Sequence, residues 1–220
     1  MAIKEIINVI LNARFSYLFC TAVLLFLLRP FIAGAAAVNT VTDIFVWFIL
    51  ISCVWAVHEK RKRQWFVIAM AAAAIMADLL DFLLHNAVTS WASKIGIVLF
   101  LGYAVVAILF YLGRQKEVTA DMIMAGASEY VLIAILWAWL YLLIETVYPG
   151  SFSVAGAKMD RSGFLYFSFV TLTTTGYGDI LPISVQARSL AVLETLTGQL
   201  FIAITVARLV SLYTVQGNKN

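Results

Sequence analysis

The sequence predicts an all-α membrane protein: six transmembrane helices plus one short helix that enters the bilayer and turns back. Three observations predict this. Of the 220 residues, 63% are apolar and only 12% charged, where a soluble domain carries about 25% charged residues. Six apolar runs approach or reach the roughly 20 residues that cross the hydrocarbon core. The basic residues gather at alternate ends of those runs, as topology signals do.

The first run, 15–31, is interrupted by Arg29-Pro30. Proline lacks the donor that a helix interior needs, so the pair belongs at the outer end. Upstream, Ile3, Ile6, Ile7, Ile10 and Leu11 repeat at helical spacing opposite Lys4, Glu5, Asn8 and Asn12, a pattern that suits an interfacial helix. Residues 1–14 lack the short apolar core and small-residue cleavage site of a secretory signal, so the first run is expected to stay as a membrane helix. Further spans are expected at 38–57, 65–84, 95–113, 130–147 and 190–213. The segment 164–173 is too short to cross. A re-entrant element is tolerated at membrane depth only where protein or a water-filled path surrounds it, which implies a pore or cavity.

Six spans put both termini on one side. That side holds Lys4, Arg14, the run Lys60-Arg61-Lys62-Arg63, Arg114, Lys116, Arg208 and Lys219, and the opposite side holds fewer basic residues. The positive-inside rule makes it cytoplasmic, giving a multi-pass cell-membrane protein with both termini in the cytoplasm. Between Arg114 and Glu129 the apolar content falls and Thr119, Asp121, Gly126 and Ser128 appear. This stretch is read as a cytoplasmic connector, dividing a four-helix peripheral module, 1–128, from a second module, 129–220. Cys20 and Cys53 lie within apolar runs and are expected to be small buried hydrophobes.

The chemistry concentrates in Thr174-Thr175-Gly176-Tyr177-Gly178-Asp179. A bare cation entering an apolar medium loses tens of kcal/mol of hydration unless oxygens replace its shell. Backbone carbonyls replace the shell without neutralising the ion. A chain whose carbonyls all face one way is neither helix nor strand, and Gly176 and Gly178 supply left-handed torsions at alternate positions. One loop gives one oxygen per level, so a cage needs several copies, and this chain carries one motif.

The motif resembles the selectivity filter of the potassium channel family, and the resemblance covers about residues 129–213. It implies that the carbonyls of Thr174, Thr175, Gly176 and Tyr177, with the Thr174 hydroxyl, ligate K+ in a homotetramer, and that Gly178 completes the filter. No cofactor is expected beyond K+ as the permeant ion. The segment 164–173 becomes a pore helix whose negative end faces the axis, and 129–220 a pore module of outer helix, pore helix, filter and inner helix. Thr175 departs from the family's usual Val, yet selectivity is expected to survive because carbonyls do the coordinating. Tyr166 and Phe167 occupy the positions of an aromatic cuff, where Tyr166 can donate to Asp179; plain packing is the alternative. Gly198 stands where the family has a gating hinge, with close helix packing as the alternative. Glu194, a carboxylate inside a span, is expected to support the filter from behind through pore-helix hydroxyls or Arg188. Gln199, Ile202 and Val206 follow at helical spacing as lining for an inner cavity.

The layout resembles that of voltage-gated channels without their charge ladder, since no basic residue lies between Lys94 and Arg114. Steep gating moves three or four charges per subunit, each yielding about 2.3 kcal/mol per 100 mV, so weak or absent voltage dependence is expected. Asp78, Asp81 and His85 share a helical face, either as a divalent or proton site or as a cluster paired with Arg29 or Lys94. Asp43 carries the same ambiguity. His58 reads as interfacial, and the adjoining basic run can also attract anionic headgroups. After Tyr213 only a few polar residues remain, so no attached regulatory domain is expected. The expected activity is passive, potassium-selective conduction, with K+, the bilayer and three further copies of the chain as partners and no nucleic acid. A weakly selective monovalent cation channel is the nearer alternative. A secondary cation transporter is the further one, because no second copy of the loop is present. No metal-binding helix motif, nucleophile with base, or phosphate loop points to an enzyme.

Overall fold

Four of the helices start where a polar side chain receives the backbone N–H groups that a first turn leaves over. The computed structural model describes residues 14–28, 31, 35–56, 61–154 and 159–217. Within them lie helices α1 (Arg14–Leu28), α2 (Ala35–Ala56), α3 (Arg61–Leu84), α4 (Ala87–Arg114), α5 (Ala120–Val147), α6 (Arg161–Leu172) and α7 (Val185–Gly217), with strands β1 (Phe152–Val154) and β2 (Ile180–Pro182). The Asn86 side chain accepts from Thr89 N at 2.9 Å and starts α4. Thr119 does the same for α5 through Met122 N at 3.2 Å, and Asp160 for α6 through Gly163 N at 2.8 Å. The Ser184 hydroxyl accepts from Ala187 N at 3.1 Å at the head of α7.

These caps lengthen α4, α5 and α7 beyond the apolar runs 95–113, 130–147 and 190–213. Hydropathy registers only the apolar part of a helix, whereas hydrogen bonding sets its ends. As a result α5 runs unbroken through residue 128, where the sequence divides the two modules, and the loop before it is only 115–119. Four helical segments are long and apolar enough to cross a membrane: Gln64–Leu84, Ala87–Arg114, Ala120–Val147 and Val185–Gly217. In place of the first two full spans expected, the described residues give the shorter apolar stretches Phe15–Leu24 and Ile44–Ala56. Helix α6, with 12 residues, is too short to cross.

The described residues are nearly all helical, as expected, with one short ladder besides. Strands β1 and β2 pair antiparallel, with Phe152 opposite Pro182 and Val154 opposite Ile180, and Ile183 N extends the join to Ser151 O at 2.7 Å. Three-residue strands are too short for an alternating pattern to register in the sequence. The ladder ties the chain before α6 to the chain after the glycine loop, so helix and loop leave and return at one place.

Helix α3 packs on α4, α4 on α5, α1 on both α2 and α5, and α6 between α5 and α7. Phe15 and Leu18 of α1, Ile49 of α2, Phe100 of α4 and Tyr141 of α5 are fully buried in this core. The α3–α4 turn is tight, with His85 at φ +50° and its N–H returned to Asp81 O at 3.0 Å. Trp65, Phe66 and Leu83 of α3 and Phe110 of α4 point outward, a surface suited to lipid tails. Cys53 is buried, but Cys20 is exposed, against expectation. Cys20 lies on the side of α1 opposite the buried Phe15, Leu18 and Ala22. The 3–11 face, Lys4, Arg29-Pro30, His58, Lys60 and Lys219 lie outside the described residues, as do the side chains of Arg14, Asp43 and Arg61 to Arg63.

Replacing Asn86 by Ala is expected to lower stability by about 1 kcal/mol, read as an earlier thermal unfolding midpoint in detergent. Asn86→Ser, which can still cap α4, should recover most of the loss.

Candidate functional site

Helix α6 ends because the following residues fold their N–H groups back onto its last turn. Thr173 N donates to Phe169 O at 3.0 Å, Thr174 N to Thr171 O at 3.0 Å, Thr175 N to Val170 O at 2.9 Å and Gly176 N to Val170 O at 3.4 Å. The donors of four successive residues are committed to the helix. Among the described residues, no backbone N–H donates to the carbonyls of Thr174, Thr175, Gly176 or Tyr177.

Torsions explain where those carbonyls face. Thr174, Gly176 and Gly178 have φ of +58°, +60° and +80°, while Thr175 and Tyr177 between them are not left-handed. A left-handed φ at every second residue is the pattern that, paired with right-handed torsions between, turns successive peptide planes the same way and gathers their oxygens on one side. The two glycines were legible in the sequence, but Thr174 was not. A left-handed β-branched residue costs about 1–3 kcal/mol and persists only where its surroundings impose it. Here the N–H bond to Thr171 O and the hydroxyl bond from Thr174 Oγ1 to Thr173 O at 2.6 Å hold it. Counting back in twos from Gly178 and Gly176 was the signal that would have found it.

The threonine hydroxyls run in a chain. Thr173 Oγ1 donates its one proton to Phe169 O at 2.6 Å, so in its 2.9 Å contact with Thr175 Oγ1 it is the acceptor. The Thr175 hydroxyl is thereby turned toward α6. On the other flank, the Tyr177 ring stacks parallel to Tyr166, with centroids 6.5 Å apart and an interplanar angle of 4°, and the Tyr166 hydroxyl interacts with the Asp179 carboxylate. Phe167 faces the opposite way, buried edge-on against Tyr141 at 5.1 Å and Phe152 at 5.3 Å.

Glu194 is fully buried behind this segment. Ser168 of α6 and Tyr141 of α5 both bond to its carboxyl. Ser168 Oγ also lies 2.6 Å from Ala134 O. Its single proton is thus shared between two acceptors, the Glu194 carboxyl and Ala134 O. Arg188, the other partner expected, instead donates Nε to Pro182 O at 3.2 Å. Tyr141 was missed, although a phenol on an apolar helix signals a need for a buried acceptor.

Gly198 marks the contact between α7 and the end of α6. A Cβ there would sit 2.5 Å from Leu172 O and 2.9 Å from Leu172 Cδ1, and Tyr130 of α5 donates to the same carbonyl at 3.1 Å. Helix α7 continues unbroken through Gly198, where the two helices pack closely. Gln199, Ile202 and Val206 are exposed on α7. The last two also border an apolar groove of about 400 Å3 between α4, α5 and α7.

The peripheral acids are already partnered. Asp78, buried, accepts from Trp47 Nε1 at 2.8 Å and Ser93 Oγ at 2.6 Å. Asp81 accepts from Thr89 Oγ1 at 3.2 Å and pairs with Arg161 at 3.9 Å. Lys94 donates to Ser90 Oγ at 2.8 Å, and His85 lies beside the Phe82 ring. No group of three or more potential metal ligands occurs among the described residues.

Apolar helices long enough to cross, a short helix that cannot cross and a loop of carbonyls without backbone donors are parts suited to passing an ion through a membrane. Residues 129–215 match the family model described as ion channel. Over 89 residues the chain is 34% identical to the inward rectifier potassium channel Kirbac3.1 of Paramagnetospirillum magnetotacticum, an alignment that covers 39% of this chain and 27% of the relative. The chain thus spans about a quarter of the length of the curated relative it matches. No solved structure matches it. Residues 129–215 are thus similar to an ion channel domain, and part of the chain is similar to a potassium channel.

Gly198→Ala is expected to cost about 1–3 kcal/mol through overpacking against Leu172. A lowered thermal midpoint of the purified protein checks it, and an unchanged midpoint would mean that α7 moves away freely.

Proposed function

We propose that the chain is the subunit of a homotetrameric, potassium-selective channel in the cell membrane, with residues 129–220 as its pore module and 1–128 as a peripheral module. The observation that carries this is the run of carbonyls at Thr174, Thr175, Gly176 and Tyr177, one-sided by torsion and free of backbone donors. Such oxygens replace the hydration shell of a monovalent cation, and the named activity of the relative from Paramagnetospirillum magnetotacticum points to K+. Tied back to Thr173, the Thr175 hydroxyl leaves the carbonyl face unobstructed.

A single loop offers one oxygen per level, so four copies around an axis supply the cage. Tyr177 is 71% exposed in one chain, and Val192, Leu196 and Leu200 of α7 are bare as well, which suits contact with further copies and lipid. In this reading α6 is the pore helix, its C-terminal end directed at the ion path. Glu194, Tyr141 and Ser168 hold α5, α6 and α7 together behind the filter. Tyr166 and Asp179 brace its outer end, and Gln199, Ile202 and Val206 line the inner cavity. Six spans with cytoplasmic termini fit the cluster of Arg114, Lys116 and Arg208 at one end, where Arg208 donates to Gln115 O at 3.0 Å.

In liposomes carrying the purified protein, the reversal potential should follow the K+ gradient, Ba2+ should block the flux, and cross-linking should stop at four subunits. A reversal potential that follows Na+ equally would make the pore weakly selective, and a protein that stays a lone protomer would overturn the assembly. With no basic residue in α4 between Lys94 and Arg114, the conductance should vary only shallowly with voltage, and a steep curve without a blocking ion would contradict this.

A further inference from the structure

The charges on α3 and α6 sit at helix ends that repel them. Asp81 lies in the last turn of α3 and Arg161 is the first residue of α6. A helix dipole disfavours an anion at its C-terminal end and a cation at its N-terminal end. Neither placement helps its own helix, and Asp160 already caps α6. What the two placements achieve is a link between helices: the Arg161 guanidinium reaches the Asp81 carboxylate at 3.9 Å, with side chains only 24% and 15% exposed. Both partners are also held in place. The Arg161 guanidinium lies 5.6 Å from the centre of the Trp139 ring on α5, a cation–π position, and Thr89 at the head of α4 donates to Asp81 at 3.2 Å. Lys94 of α4 lies within electrostatic reach of both.

The middle of α2 and the neighbouring ends of α3 and α4 are joined here, because Asp78 of α3 accepts from both Trp47 of α2 and Ser93 of α4. Helix α6 is 12 residues long, a rod of about 18 Å. Tilting its first turn therefore moves its last, and the last turn carries the N–H bonds that set the torsions of Thr174 and Thr175.

On the footing of the channel reading above, we propose that Asp81 and Arg161 are positioning residues for conduction: the peripheral helices hold the outer end of α6 through this pair and so fix the carbonyl loop at its other end. Neither residue touches the ion. They act through the placement of α6.

The test uses full-length protein in liposomes and planar bilayers, comparing wild type, Asp81→Asn, Arg161→Gln and the reciprocal swap Asp81→Arg with Arg161→Asp. The swap preserves the pair and gives each helix end the charge that its dipole favours. Each single variant should lower open probability by at least about fivefold, the lower range of coupling between distinct sites, and should weaken Ba2+ block, which reads the carbonyl cage directly. The swap should bring both measurements back toward wild type. Conducting single variants with wild-type open probability and Ba2+ block would overturn the proposal. So would singles that lose thermal stability alone, with a swap that restores stability and leaves the pore unchanged, since that pattern describes a merely structural pair. Wild-type vesicles that pass no K+ would instead sink the channel reading, and this inference with it.

Discussion

The constraint on which the site depends is that a carbonyl offered to an ion has to be withheld from the protein. In this loop the withholding is done by the N–H groups. Those of Thr173 to Gly176 return to the end of α6, which leaves the backbone no ladder in which the neighbouring oxygens would be consumed. Helix end, alternating torsions and free oxygens are three aspects of one arrangement. The rest of the domain keeps that short stretch still: the β1–β2 join closes its base, Glu194 fastens α6 to α5 and α7, and the hydroxyls of Thr173 and Thr175 point their polarity back into the helix.

The buried carboxyl shows how a membrane interior alters the terms of a polar contact. In water, Glu194 would have no need of Tyr141 or Ser168. Inside the core a polar group without partners is costly, so two hydroxyls from two helices converge on it. The same demand makes a three-helix joint out of one side chain. Apolar packing alone is weakly specific between helices surrounded by lipid, because lipid tails are as apolar as leucine.

Much of this was legible in the sequence, and the misses have a common cause. The glycine loop, the short helix before it and the need of Glu194 for hydroxyl partners follow from local chemistry, which a sequence records. Helix ends were misplaced because apolar runs were read and the caps at Asn86, Thr119, Asp160 and Ser184 were not, although each is a residue type suited to the task. The sequence indicated that Asp81 needed a cation and offered Arg29 or Lys94. The observed partner, Arg161, lies 80 positions further on, and only the packing of α6 against the peripheral helices brings it there. Tyr141 escaped notice for the same reason, and Cys20 because an apolar run records that a residue is in the membrane but not whether it faces protein or lipid.

Gly198 has a mechanical consequence. The Leu172 side chain and carbonyl of α6 both come against the backbone of α7 where Gly198 leaves a hollow, and that carbonyl is anchored independently by Tyr130. One turn earlier Glu194 ties the same two helices through Ser168, so a turn of α7 about its axis is passed to the end of α6 and the long helix and the loop are mechanically joined.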